Sequence, residues 1–147
     1  MLIIAGLGGL TLLLPGNAKL GQITLGVHSL LYSAAFMLMG AQIVSFAYLA
    51  QLFGIRESFW PQSTRMRAIS NWFTVETGSL LGLGLLICGG VTAFLAISEW
   101  AGANYGAMKV ESLMRLAIPS VLLASVGLQC VFTSFFAGLL SQPRHSK

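Results

Sequence analysis

The chain has 147 residues, of which 56% are hydrophobic and 8% are charged, and its formal net charge is +4. A mean hydropathy of +0.83 excludes a soluble domain of this size. A chain used mostly for membrane spans also leaves no room for a separate aqueous domain of the usual ~100 to 150 residues. The basic residues form no cluster with interleaved aromatic side chains, so we expect no nucleic-acid partner. Residues 1–147 are therefore predicted to form a single membrane domain.

Four apolar stretches predict an all-α, polytopic membrane protein with four transmembrane helices, at about residues 2–14, 27–53, 72–98 and 113–140. The last three exceed the roughly 20 residues that an α-helix needs to cross the hydrocarbon core. The first stops at Pro15 and would reach only about 20 Å as a helix, so we interpret it as a span whose beginning is missing. No basic segment precedes its apolar core, as a cleavable signal peptide would require.

The first and third connections, residues 15–26 and 99–111, contain the turn-forming residues proline, glycine and asparagine. This composition predicts two loops. The positive-inside rule places these loops outside and both termini in the cytoplasm, because that arrangement leaves five Lys and Arg residues on the inner face and three on the outer face.

The inner connection, residues 54–71, has a different composition. It combines three arginines with two aromatic residues: Arg56, Arg65, Arg67, Phe59 and Trp60. This mixture predicts a segment that lies in the membrane interface between the second and third spans, with arginines toward lipid phosphates and aromatic rings in the headgroup boundary. The alternative is a solvated loop whose arginines only follow the positive-inside bias.

Small residues recur at helical spacing within the spans, which predicts close helix approach. In the third span they are Gly78, Gly82, Gly84, Gly89 and Gly90; facing surfaces could come from Gly6, Gly8 and Gly9 in the first span and from Ser120 and Ala124 in the last. A lipid or substrate path that needs room is the alternative. Two glutamines within the spans, Gln42 and Gln129, are predicted to hydrogen-bond across helices.

Glu76 lies near the start of the third span and allows two interpretations. A negative charge is stabilised near a helix N-terminus, so Glu76 could cap the helix or form an ion pair. Alternatively, it belongs to an inner-face site in which Arg56, Arg65 and Arg67 bind a lipid phosphate through their guanidinium groups, while Glu76 orients them. The site residues predicted from the sequence are therefore these three arginines and Glu76.

Catalytic constellations are missing from the sequence. The chain contains no aspartate, its four glutamates are scattered, and no glycine-rich phosphate loop occurs. No carboxylate pair or histidine cluster has the spacing of a metal site. We therefore expect no catalytic residue, metal ion or cofactor in this chain, and do not expect it to act as an enzyme on its own.

Several short segments follow a familiar order along the chain: GVHSLLY at residues 26–32, Arg56-Glu57 with Pro61, FTVETG at residues 73–78, Ile118-Pro119, and SFF at residues 134–136. In this order, over nearly the whole chain, they resemble the C-terminal membrane region of bacterial family 2 glycosyltransferases of the dolichol-phosphate mannose synthase type. In that family a cytoplasmic nucleotide-sugar domain with an Asp-rich metal-binding motif transfers a sugar to a polyprenyl phosphate, and the C-terminal spans anchor it.

The resemblance implies a membrane anchor and lipid-facing module of a polyprenyl-phosphate glycosyltransferase system in the bacterial inner membrane. Its implied partners are membrane lipids, polyprenyl phosphate, a separate nucleotide-sugar catalytic domain and further subunits of an oligomer. The chain would be a truncated or split member of the family. Of the candidate site residues, the resemblance places only Arg56 and Glu76 at inner-face polar positions of the family.

The sequence is also compatible with two other functions. A small four-span transporter or flippase-like protein for lipid-linked sugars would need polar side chains along a path through the membrane. The available ones are Gln42, Ser45, Ser125 and Gln129. The other possibility is a purely structural membrane subunit.

Overall fold

The fold is described from a computed structural model, which describes residues 1–15, 18–20, 23–61, 63–102 and 110–142. The described residues form five helices and one pair of short strands. The helices are α1 (Leu2–Leu13), α2 (Val27–Arg56), α3 (Thr64–Trp72), α4 (Val75–Gly102) and α5 (Val110–Ser141); the strands are β1 (Ala18–Leu20) and β2 (Ile23–Leu25).

Within the described part of the chain, three helices are long and apolar enough to cross a membrane. They are α2, α4 and the part of α5 from Leu113 to Ser141. Helix α1 has 12 residues, which corresponds to about 18 Å of helix against about 30 Å of hydrocarbon core. The predicted membrane architecture of apolar helices is thus confirmed, whereas the predicted count of four spans is not.

The predicted connections differ from the observed ones. Residues 15–26 were predicted as a loop, but β1 and β2 pair there in antiparallel register, with Lys19 opposite Thr24. Helix α4 continues past the predicted boundary at Glu99 to Gly102, and residues 103–109 of the predicted second loop lie outside the described residues. The inner connection contains a complete short helix, α3.

Helix α4 packs against α5 through a seam of glycines. Gly78 lies against Ser134, Gly82 against the backbone of Gly127, and Gly89 against Ser120 and Ala124. A methyl group at Gly89 would lie only 2.7 Å from the Ala124 amide nitrogen, so the backbones touch. The predicted close approach is confirmed for these three glycines, but Gly84 and Gly90 face open space.

Helix α1 packs on α2 in a similar way. Gly6 lies against the backbone of Ser33 and Met37, and Gly9 lies against the Ser33 side chain, whereas Gly8 makes no such contact. Arg115 of α5 holds the other end of α1, because its Nη1 donates a hydrogen bond to the Leu13 carbonyl oxygen at 2.6 Å. This bond satisfies a carbonyl that the helix end would otherwise leave without a partner.

Among the described residues, a side-chain hydrogen bond joins helices α2 and α5. Gln129 Nε2 donates to Ser45 Oγ at 3.1 Å, which confirms the predicted cross-helix role of Gln129. A small core, made by Leu10, Leu13, Leu30, Ala34, Ile118 and Leu122, lies where α1, α2 and α5 meet. Most other large apolar side chains are exposed, as expected for helices that face lipid.

Candidate functional site

The turn after α2 reverses the chain direction at the C-terminal end of this helix. Ser58 has a φ of 61°, Phe59 N donates to Gly54 O at 2.9 Å, and Ser58 N donates to Ile55 O at 3.1 Å. These two bonds around a left-handed residue are those of a Schellman motif, which ends a helix and reverses the chain. The Trp60 ring then packs on Gly54, where a β-carbon would come within 2.6 Å of it.

Helix α3 begins at this point with its own cap. The Ser63 side chain accepts a hydrogen bond from Met66 N at 3.2 Å, as serine commonly does before a first helical turn. Met66 is buried, at 4% exposure, whereas Arg67 next to it is exposed. The helix therefore presents an apolar residue to the bundle and a cation away from it.

The start of α4 is capped by two threonines. Thr74 N donates to Thr77 Oγ1 at 2.9 Å, and Thr77 N donates to Thr74 Oγ1 at 3.3 Å, which is a capping box with threonine in the position usually held by Glu or Gln. Glu76 lies in the first helical turn and is exposed. Its charge is favoured there by the helix dipole, but the two threonines cap the helix.

A groove of about 900 Å³ lies between α2, α3 and α5, and we call it the α3 groove. Its lining is almost entirely apolar and includes Val44, Tyr48, Met66, Ile69, Trp72 and Phe73. The ring of Tyr48 meets that of Phe73 edge to face, with centroids 5.7 Å apart. The volume lies at the upper end of the ~300–1,000 Å³ typical of ligand pockets.

The candidate site residues lie at the same end of the bundle as this groove. Arg56 is the last residue of α2, Arg67 lies on α3, and Glu76 lies in the first turn of α4. Arg65 also belongs to α3, but its side chain lies outside the described residues. No described contact joins Glu76 to Arg56 or Arg67, so the orienting role of Glu76 stays a prediction.

Helix α3 connects the arginines to the groove. Met66 and Ala68, which flank Arg67 in the chain, both line the α3 groove. Helix α3 thus forms a wall of the groove and also carries Arg65 and Arg67. The groove can hold an apolar chain, whereas Arg67, which is exposed and directed away from the bundle, can meet an anionic group at the outer surface of α3.

Sequence reasoning missed most of the groove lining. Tyr48 and Gln51 of α2 both face the groove, and their spacing of one helical turn places them on one side of the helix. This spacing, next to the arginine-rich connection, was the sequence signal from which these two lining residues could have been predicted. The contribution of Cys130 and Thr133 from α5 had no local signal, because it depends on how α5 packs.

A second groove, of about 550 Å³, also lies between α2 and α5, and we call it the α2–α5 groove. The four polar residues considered for a transport path, Gln42, Ser45, Ser125 and Gln129, all line it. On α2 its lining extends from Leu38 to Leu49, which is about 17 Å along the helix.

Comparison with known proteins identifies a family. The family model of the glycosyltransferase family 2 C-terminal transmembrane region matches residues 48–141. This range includes α3, α4, all of α5 and the end of α2 with Tyr48, Gln51 and Arg56. The segment at residues 26–32 that contributes to the resemblance lies outside it. Neither curated proteins nor solved structures gave a significant match.

Proposed function

Because this chain belongs to the family of glycosyltransferase family 2 C-terminal transmembrane regions, we propose that it is the membrane anchor and lipid-facing module of a polyprenyl-phosphate glycosyltransferase system. The observation that carries the proposal is the α3 groove, whose wall is the helix that carries Arg65 and Arg67. The isoprenoid chain lies in the groove and its phosphate binds the arginines.

The two parts of the ligand contribute differently to binding. Lipid tails are as apolar as the groove, so moving an isoprenoid chain from the bilayer into the groove gains little hydrophobic free energy. The phosphate gains more, because an arginine guanidinium binds phosphate oxygens through charge-assisted hydrogen bonds. Arg56, Arg65 and Arg67 therefore supply most of the affinity, and the groove selects the shape of the chain.

The same proposal sets the orientation and the partner. The end of the bundle with Arg56, Arg65 and Arg67 faces the cytoplasm of a bacterial inner membrane, in agreement with the positive-inside bias. Helix α3 lies in the interface, with Trp72, which is 83% exposed, at headgroup level. A separate catalytic nucleotide-sugar domain meets the lipid phosphate at this surface.

One observation supports the alternative function, a transporter for lipid-linked sugars: the four polar residues of the α2–α5 groove lie together. The groove extends along only about 17 Å of α2, however, and the hydrocarbon core is about 30 Å thick. It is thus too short to serve as a transmembrane path in one chain. We therefore favour the anchor function.

Lipid retention by purified protein tests the proposal. Replacing Arg56, Arg65 and Arg67 together by glutamine should reduce retained polyprenyl phosphate at least tenfold, with little change for the unphosphorylated polyprenol. Equal retention of polyprenyl phosphate by the variant and the parent chain would remove the arginine site.

A matched pair of variants tests the groove. Val44 and Ile43 are adjacent on α2 and equally exposed, at 58% and 59%, but only Val44 lines the α3 groove. Val44→Trp should fill the groove and reduce retention, whereas Ile43→Trp should not. Equal retention by both variants would show that the chain of the lipid does not lie in the groove.

A further inference from the structure

The α2–α5 groove lies on the side of the α2–α5 contact opposite the α3 groove. At 100° per residue around α2, Val44 and Tyr48 lie to one side of Ser45, and Gln42 and Phe46 lie to the other. The first pair lines the α3 groove and the second lines the α2–α5 groove. An occupant of the α2–α5 groove therefore leaves the α3 groove open to lipid.

Gln42 is the polar group that requires an explanation. It is the sixteenth of the thirty residues of α2, so it lies at the middle of the span, and its side chain is exposed. The described residues provide no hydrogen-bond partner for its amide, whereas the amide of Gln129 bonds to Ser45. A primary amide in hydrocarbon without a partner costs several kcal/mol.

The depth of Gln42 restricts what can cover the groove. An acyl or isoprenoid chain has no hydrogen-bonding group at the bilayer centre, so it would fill the groove and leave the amide unsatisfied. A second copy of this chain in the same orientation, related by a two-fold axis along the membrane normal, places its own Gln42 at the same depth. Each amide has a donor and an acceptor, so the two can pair reciprocally across the axis, as residues on an isologous interface do.

We propose that the α2–α5 groove is a self-association surface, in which Gln42 of one copy bonds to Gln42 of a second copy of this chain. Exposed aromatic residues of α2 and α5 provide the packing area: Phe46, Phe132 and Phe136 are 74%, 56% and 55% exposed and line the same groove. The interaction does not depend on lipid phosphate binding, because it uses the opposite side of α2.

The first test is the monomer–dimer equilibrium of the whole chain in liposomes, measured by fluorescence energy transfer as the protein-to-lipid ratio is lowered. Interhelical side-chain hydrogen bonds in membranes contribute about 1–2 kcal/mol in model peptides. Gln42→Leu should therefore raise the dissociation constant about five- to thirty-fold. Gln51→Leu, the same change on the same helix in the α3 groove, should leave it unchanged. A dissociation constant that Gln42→Leu does not change, or a chain that stays monomeric at all dilutions, would overturn the proposal.

The second test is disulfide cross-linking in the membrane, which locates the contact between copies in variants that keep Gln42. The background variant carries Cys88→Ala and Cys130→Ala, so that it has no native cysteine. Phe46 lies one helical turn from Gln42, and Phe46→Cys should form a disulfide between two copies when a membrane-permeable oxidant is added. Phe94→Cys on α4, where the native side chain is 70% exposed, is the control and should cross-link much less. Equal cross-linking at both positions would indicate random collision and contradict the proposed surface. Lipid retention by Gln42→Leu should equal that of the parent chain, which separates this proposal from the function proposed above.

Discussion

The substitution Gly89→Ala tests the close approach of α4 and α5. A methyl group at Gly89 would lie 2.7 Å from Ala124 N and 2.8 Å from Ser120 O. Both contacts are with backbone atoms, so no side-chain rotation can relieve them. The ordinary contact distance begins at 3.4 Å, and the two helices must therefore separate locally by about 0.7 Å.

This separation determines the size of the effect. A gap of about 0.5–1 Å forfeits roughly a quarter to a half of the dispersion energy between packed atoms, and overpacking a close contact typically costs about 1–3 kcal/mol. Because α4 and α5 touch along a seam of three glycines, we expect Gly89→Ala to lower the free energy of unfolding by about 2–3 kcal/mol.

Unfolding by SDS in mixed micelles, followed by circular dichroism, measures the change. The matched control is Gly90→Ala, whose methyl group would meet nothing within 4 Å and which should leave the midpoint unchanged or raise it slightly. If the two variants unfold at the same SDS fraction, the backbones of α4 and α5 do not touch at Gly89, and the glycine seam has been misplaced.

Three further experiments have specific expected outcomes. Arg115→Leu removes the hydrogen bond to Leu13 O and should lower the free energy of unfolding by about 1–3 kcal/mol, with faster proteolysis after α1; an unchanged cleavage rate would argue against this cap. A double-mutant cycle between Gln129→Leu and Ser45→Ala in SDS unfolding should give a coupling energy of about 0.6 kcal/mol and at most about 1.7 kcal/mol; additive effects would show that their hydrogen bond does not contribute. Ser58→Gly should raise the free energy of unfolding by up to about 1 kcal/mol, because glycine adopts a positive φ without strain. A lower free energy of unfolding would contradict the left-handed turn.

Apolar length made the three long helices predictable, because few other structures satisfy the backbone of such a stretch in lipid. The glycine seam was only partly predicted, although the sequence contained the signal. At 100° per residue, Gly78, Gly82 and Gly89 lie within about 40° of one another on the helix, whereas Gly84 and Gly90 lie elsewhere. Counting small residues without their helical angle placed all five on one face.

The β1–β2 pair was missed because two strands of three residues give almost no periodic signal. The α3 groove was unpredictable for a different reason. Its shape depends on the Schellman turn at Ser58, which returns the chain toward α2, and on the distant contribution of Thr133. The arginines were predicted as a group from their charge and their location in the inner connection, but their relation to an apolar groove required the position of α3.

The proposed lipid site can be tested most directly with a polyprenyl phosphate that carries a photoreactive diazirine on its isoprenoid chain. After irradiation of the whole chain in liposomes, mass spectrometry of peptides locates the label. We predict labelling at Tyr48, Met66 and Ile69, which line the α3 groove, and competition by unlabelled polyprenyl phosphate. Labelling spread evenly over lipid-exposed residues such as Leu80 and Phe94 of α4, without competition, would contradict the lipid-binding function.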